Sequence, residues 1–112
     1  GVARDTYKRD GTTLSFAAGF AEVEVDVETG AYTVLDYTAV GDSGTIVHPR
    51  AYGGQLLGRS VLGMSHALAL KTVYDQHYGV ALATRMYQSR PPTILDIPRN
   101  MQWDAVNLPD PE

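Results

Sequence analysis

A serine in a glycine-flanked turn, three histidines and a band of polar side chains on one predicted helix are the residues of this 112-residue chain that could carry chemistry. Ser43 lies in Gly41-Asp42-Ser43-Gly44, where a hydroxyl could act as a nucleophile if a general base sat within hydrogen-bond reach. His48, His66 and His77 all follow Ser43, Thr45 stands where a second glycine would belong, and the chain is too short for a two-barrel hydrolase. The segment therefore reads as a strand-to-loop turn. The histidines are 18 and 11 residues apart, and no His-x-x-x-His pair sets two imidazoles on one helical face, so no metal site is expected. Without cysteine, the chain cannot form disulfides, a thiolate nucleophile, a cysteine zinc site or iron–sulfur ligation.

The polar band is more informative. At 100° per residue, His48, Tyr52, Gln55, Arg59 and His66 fall within roughly 60° of one another. Between Leu56 and Leu70 only Arg59, Ser60, Ser65 and His66 are polar, which predicts a helix buried between layers. A polar band on such a helix must meet water, a partner or a polar ligand. It is either a solvent-facing edge or the flank of a binding site. In the second case the helix start, with unpaired N–H groups and a positive dipole end, faces an anion such as a phosphate, and Gln55 offers donors and acceptors to a planar heterocycle. Spacing alone leaves both open.

The elements that must position these residues are legible on either side. From Phe20, Ala21, Val23, Val25 and Val27 alternate with Glu22, Glu24, Asp26 and Glu28, the period of a strand with one core face and one wet face. Glu28-Thr29-Gly30-Ala31 supplies the turn, and Tyr32 to Val40 reads as a β-branched and aromatic return strand, giving a hairpin over 14–40. Gly41 to Gly44 breaks that strand, and Pro49 opens a long helix predicted over 49–78 with Gly79 as its left-handed cap. Gly54 and Gly58, one turn apart, would admit another backbone. Over 80–112 we expect short strands and proline-rich loops: one strand from Val80 to Met86, a break at Arg90-Pro91-Pro92, and a last strand from about Met101 to Asn107. The fold class is α+β, with an antiparallel hairpin and further short strands packed against one long helix.

Composition bounds the partners. Ile, Leu, Val and Phe make up 26 of the 112 residues, enough for a thin core in a single domain. A net charge of −4 gives no electrostatic footprint for nucleic acid or an anionic membrane, and no apolar run is long enough to span a bilayer. No signal-peptide pattern is visible, so a cytoplasmic location is expected rather than export. The start at Gly1 and the tail Leu108-Pro109-Asp110-Pro111-Glu112 read as the ends of a piece of a longer polypeptide, with exposed apolar surface and self-association as expected consequences.

Phe20 to Asp26, the acidic-Thr-Gly turn at Glu28 to Gly30, Asp42-x-Gly44, Pro49, Gly54-Gln55, Gly58, Gly63 and Asp96-Ile97-Pro98 occur in the order and approximate spacing of a known family. From about Phe16 to Glu112 the chain resembles the C-terminal part of the molybdopterin-binding large subunit of the molybdenum hydroxylases, the xanthine oxidase and aldehyde oxidase family. The resemblance implies a fragment of a larger molybdopterin-binding domain. It implies a molybdenum cofactor, in some bacterial forms carried as the cytosine dinucleotide, that hydroxylates aldehydes or N-heterocycles with oxygen from water. Iron–sulfur centres and FAD are then expected in partner domains or subunits, together with the rest of the large subunit and a small-molecule substrate. In relatives the Gln of the Gly-Gln pair hydrogen-bonds the pterin, which makes Gln55 the foremost cofactor contact, with Gly54, His48 and Ala51 beside it on the loop and helix start.

Two departures from the pattern follow. His48 stands where many relatives have Asn, and an imidazole does not reproduce both hydrogen-bonding directions of an amide. The family's catalytic Glu belongs to a Gly-x-Gly-Glu-Pro motif, which does not occur within 1–112. Glu112 lacks the preceding Gly-x-Gly and is not that base, so no catalytic residue is assigned and the segment alone is expected to be inactive. A second reading is a non-catalytic α+β interaction module that docks a protein through the polar band and the Gly54/Gly58 notch.

Overall fold

A computed structural model describes residues 1–2, 11 and 14–109. Five elements follow one another: β1 (Phe16–Val25), β2 (Tyr32–Asp42), α1 (Pro49–Leu68), the short α2 (Met86–Ser89) and β3 (Asn100–Val106). The sheet order is β1-β2-β3, with β1 antiparallel to β2 and β3 parallel to it. A parallel pair needs a crossover, and α1 with the irregular stretch that follows it provides one between β2 and β3. The α+β architecture is the one predicted.

The hairpin turn is built by Asp26 and closed by Gly30, whose φ of 72° is a left-handed conformation natural to glycine. One Asp26 carboxylate oxygen accepts from the N–H groups of Glu28 and Thr29, and the other accepts from the Thr29 hydroxyl at 2.7 Å. These donors, the Thr29 hydroxyl first, hold the Asp26 carboxyl below its ordinary value. Further along, Leu35 has no partner: Glu22 pairs with Asp36 and Val23 with Val34, so β2 bulges there.

The core sits where α1 crosses β2 and β3. Cross-strand registers set Tyr37 beside Met101, Ala39 beside Trp103 and Gly41 beside Ala105 on one face of the sheet. Ala39 is 3% exposed. Helix α1 turns Tyr52, Gly53, Leu56, Leu57, Ser60, Val61, Met64 and Ser65 inward at the 3.6-residue period, and Gly53 and Ser65 are buried. A Cβ added at Gly53 would overlap the Trp103 indole, and one at Gly41 would overlap the Tyr52 hydroxyl. The Tyr52 and Trp103 rings meet edge to face at 5.9 Å.

Several expectations are corrected. The helix ends at Leu68, not at 78. Its last carbonyls are met by the Tyr32 hydroxyl, which donates to Ala67 O at 3.0 Å, while Ser65 O accepts from the N–H groups of Ala69 and Leu70. Beyond it, Asp75 draws the chain into its own turn by accepting from the N–H groups of His77 and Tyr78, which competes with helix. Gly79 is left-handed as expected, φ 66°, but it closes this turn rather than the helix. The strand predicted from Val80 to Met86 is reduced to a single bridge between Tyr74 and Ala81, and Met86 opens α2 instead. The last strand spans Asn100–Val106, and β2 continues through Gly41 to Asp42.

The core face predicted for β1 is also corrected: Val23 and Val25 are 46% and 55% exposed. A helix about 10 Å wide covers about two strands spaced ~4.8 Å apart, and α1 packs on β2 and β3. β1 is left bare. Phe16 and Phe20, on the opposite face, are 66% and 65% exposed, in line with the apolar surface the sequence leads us to expect.

Two glycines of α1 should respond oppositely to alanine. Gly53→Ala drives a methyl into Trp103 and should lower stability by about 1–3 kcal/mol in denaturant melts, against a helix-propensity gain of only ~1 kcal/mol. Gly58→Ala meets open space and should show the gain alone. The turn gives a pH signature. Because the folded carboxyl of Asp26 titrates below the unfolded value of 3.8, its contribution is full above that value and lost as pH falls below it. Amide NMR of residues 26–31 between pH 5 and 2 should show the turn loosening there, and Asp26→Asn should flatten that acid limb.

Candidate functional site

The start of α1 is fixed by its own residues. Pro49 occupies the first helical position, where its missing N–H costs nothing and its fixed φ suits the helix. His48 is the N-cap, and its Nδ1 accepts from the Ala51 N–H at 3.1 Å, as an Asn or Asp side chain does at this position. That ring nitrogen must therefore be the unprotonated one. The His48 carbonyl accepts from Tyr52 N at 3.0 Å. Arg50 N–H has no acceptor among the described residues.

The loop ahead of the helix is held from both sides. Gly44, buried with φ 72°, turns the chain away from β2. The hydroxyls of Ser43 and Tyr52 share a hydrogen bond at 3.2 Å, and the Ile46 N–H donates to the Asn107 side chain at 2.9 Å. Ser43 is thus paired with a tyrosine, while the His48 Nδ1 is committed to the helix backbone. A nucleophile with a histidine base is not what this arrangement builds.

Between loop and helix lies a depression of about 270 Å³, rimmed by Ile46, Val47, His48, Ala51, Tyr52 and Gln55 among others. Three of the four predicted cofactor contacts, Gln55, His48 and Ala51, meet there. Gly54 does not: it lines neither this depression nor its larger neighbour, and a Cβ on it would touch nothing within 4 Å. Gln55 is exposed, and its amide has no hydrogen-bond partner among the described residues. It stands between this depression and a larger cavity of about 680 Å³ on the flank of α1, which Arg59 also lines.

The polar band is therefore divided. Tyr52 turns inward onto Gly41 and Ser43, while Gln55 and Arg59 flank the two cavities and His66 is exposed near the helix end. Asn107 escaped the sequence reading because its partner, Ile46, is 61 residues away and no local pattern joins them. The capping role of His48 was readable, since a residue just before a helix-opening proline is an N-cap by position. Among the described residues no cluster of three His, Asp or Glu could hold a metal ion, and no helix is long and apolar enough to cross a membrane.

The donor set at this helix start suits a large heterocycle with polar edges: one uncommitted carboxamide, an unpaired backbone N–H and a shallow, mainly apolar cleft. The family-level comparisons agree. Residues 2–98 match the molybdopterin cofactor-binding domain, and the chain belongs to that family, in the xanthine oxidase and aldehyde oxidase group of molybdenum hydroxylases. It is 31% identical over 108 residues to a probable hypoxanthine oxidase, XdhD, of Escherichia coli K12, covering 96% of this chain and 11% of that protein. It is 29% identical over 94 residues to an indole-3-acetaldehyde oxidase of Arabidopsis thaliana, covering 84% of this chain and 7% of that one. The crystal structure of quinoline 2-oxidoreductase from Pseudomonas putida 86 superposes with a TM-score of 0.70 at 31% identity, over 83% of this chain and 12% of that one. The chain thus spans about a tenth of the length of these relatives.

The cap gives a direct test. His48→Ala should cost about 1 kcal/mol in thermal or denaturant unfolding, whereas His48→Asn should stay within a few tenths of the parent because both side chains accept from Ala51 N–H. Equal losses in the two variants would show that the cap hydrogen bond is not what His48 contributes.

Proposed function

We propose that this segment forms one wall of the cofactor site in the large subunit of a molybdenum hydroxylase acting on aldehydes or N-heterocycles. The names of the relatives span both substrate kinds, an indole-3-acetaldehyde oxidase on one side and a hypoxanthine oxidase and a quinoline oxidoreductase on the other. The observation that carries the reading is the uncommitted Gln55 carboxamide at the rim of the depression where His48 and Ala51 also lie.

In this role Gln55 hydrogen-bonds the pterin through its amide, donating and accepting at once, and the Arg50 N–H is available to an oxygen of the same group. The pterin-held molybdenum, when bound, supplies the oxidising centre and the oxygen derived from water. His48 contributes indirectly: by closing the first turn it fixes the rotation of α1 and so the direction of Gln55. Tyr52 and Asn107 hold the loop 43–48 against the helix and keep the depression open. The catalytic base, the remaining cofactor contacts, the iron–sulfur centres and FAD belong to other parts of the large subunit or to partner subunits.

Gln55→Ala, made in the native gene product, should lower molybdenum and pterin content on purification by about 10-fold, the scale seen when a positioning hydrogen bond at a metal centre is removed. Far-UV circular dichroism should not change, since Gln55 is exposed and makes no hydrogen bond within the described residues. Full cofactor content in that variant would overturn the reading.

A further inference from the structure

The larger cavity, of about 680 Å³, lies over the helix-side face of the sheet, where Tyr37, Ala39 and Gly41 line it from below and Gln55, Arg59 and Ser60 from the flank of α1. Its polar groups hold a surplus of donors. Arg59 is the charged residue of the lining, no Asp or Glu accompanies it, and its guanidinium makes no hydrogen bond to a described residue, although the chain as a whole carries a net charge of −4. The Tyr37 hydroxyl, which lies over Gly19, is also without a hydrogen-bond partner among the described residues. The hydroxyls of Ser43 and Tyr52 share one hydrogen bond, so whichever of them accepts keeps its own O–H to donate. Ser60 alone has committed its proton, to the Leu56 carbonyl. A guanidinium and free hydroxyls with no carboxylate among them are matched by an oxyanion.

The position of Gln55 says which oxyanion. Gln55 borders both this cavity and the smaller depression beside His48, and Arg59 follows it by one helical turn on the same flank, a spacing that sets Cβ atoms about 5–6 Å apart. A molecule held at Gln55 therefore has Arg59 as its nearest positive charge along the helix. Molybdopterin bears a phosphate, and a guanidinium binds phosphate oxygens through two parallel N–H groups. We infer that Arg59, assisted by the Tyr37 hydroxyl, binds the phosphate group of the molybdopterin whose pterin Gln55 contacts, whether that phosphate ends the cofactor as a monoester or links it to a nucleotide. The inference rests on the cofactor reading above and adds to it a charged contact. The cavity is within the ~300–1,000 Å³ range of small-molecule sites, so either form has room.

Phosphorus NMR of the oxidised native gene product, taken together with its pterin content, tests the contact. Arg59→Gln should lower the pterin retained on purification by about 10-fold, the effect of removing a charge-assisted hydrogen bond, and Arg59→Lys should keep most of it. Tyr37→Phe removes only an unpartnered hydroxyl, so it should keep the pterin and displace a phosphorus resonance of the bound cofactor. A single resonance that titrates near pH ~6, with its midpoint raised by about one unit in the loaded fraction of Arg59→Gln, would support the contact with a monoester. Two resonances that do not titrate, one of them displaced, would support it with the nucleotide-linked form. Unchanged pterin content and phosphorus spectra in Arg59→Gln and Tyr37→Phe would overturn the inference, and pterin loss in Gln55→Ala alongside that result would leave the Gln55 contact standing. Pterin loss in Arg59→Gln with no phosphorus resonance moved would assign Arg59 to a carboxylate of the polypeptide and would also overturn it. Displaced resonances in Arg59→Gln with full cofactor content in Gln55→Ala would keep the phosphate contact and remove the pterin one.

Discussion

The contact between Trp103 and Gly53 is the constraint from which the rest of the structure follows. An indole can lie on a helix backbone only where the helix has no side chain, so the flat face of Trp103 fixes both the height and the rotation of α1 over β3. Tyr52, the residue before Gly53, then falls over Gly41, a place on the sheet where a side chain is missing, and its ring meets Trp103 edge to face. Helix and sheet are thus keyed at two points by large rings resting on glycines. Hydrophobic burial supplies attraction without direction. The glycines supply the direction.

From that keying comes the site. Once Tyr52 is over Gly41, its hydroxyl reaches Ser43 and draws the loop 43–48 against the first turn of α1, while Asn107 at the end of β3 takes the Ile46 N–H from the other side. Gln55, one turn beyond Tyr52, is rotated away from the sheet and into the open rim. A shift of one residue in the helix rotation would turn Gln55 by about 100° and bury it or aim it elsewhere. Gln55 is thus placed by contacts on the sheet side of the helix, in which it takes no part.

The same geometry explains where the fold is bare. One helix keyed to β2 and β3 does not cover β1, so valines with the spacing of a core strand remain in contact with solvent. Their alternation is real, and it describes a layer that is wider than the helix present here. In a chain spanning about a tenth of its relatives' length, such a face is the natural place for further structure to pack.

Local chemistry made the hairpin readable, because Asp26, Thr29 and Gly30 make their turn among themselves, and it made the helix start readable through Pro49. The ordered glycines and Gln55 carried the family. The helix end was hidden, since its last carbonyls are met by the hydroxyl of Tyr32, some 35 residues earlier. Tyr32 can do so because Leu35 bulges out of β2. Without that bulge, a strict alternation from Tyr37 would put Tyr32 on the face away from the helix. Sequence by itself determined the turns, the strand periods and the helix's inward stripe, which depend on neighbours a few residues apart. Only the tertiary structure decided where the helix stops, how it is rotated and hence where Gln55 points, because those depend on partners that the chain brings together from far along its length.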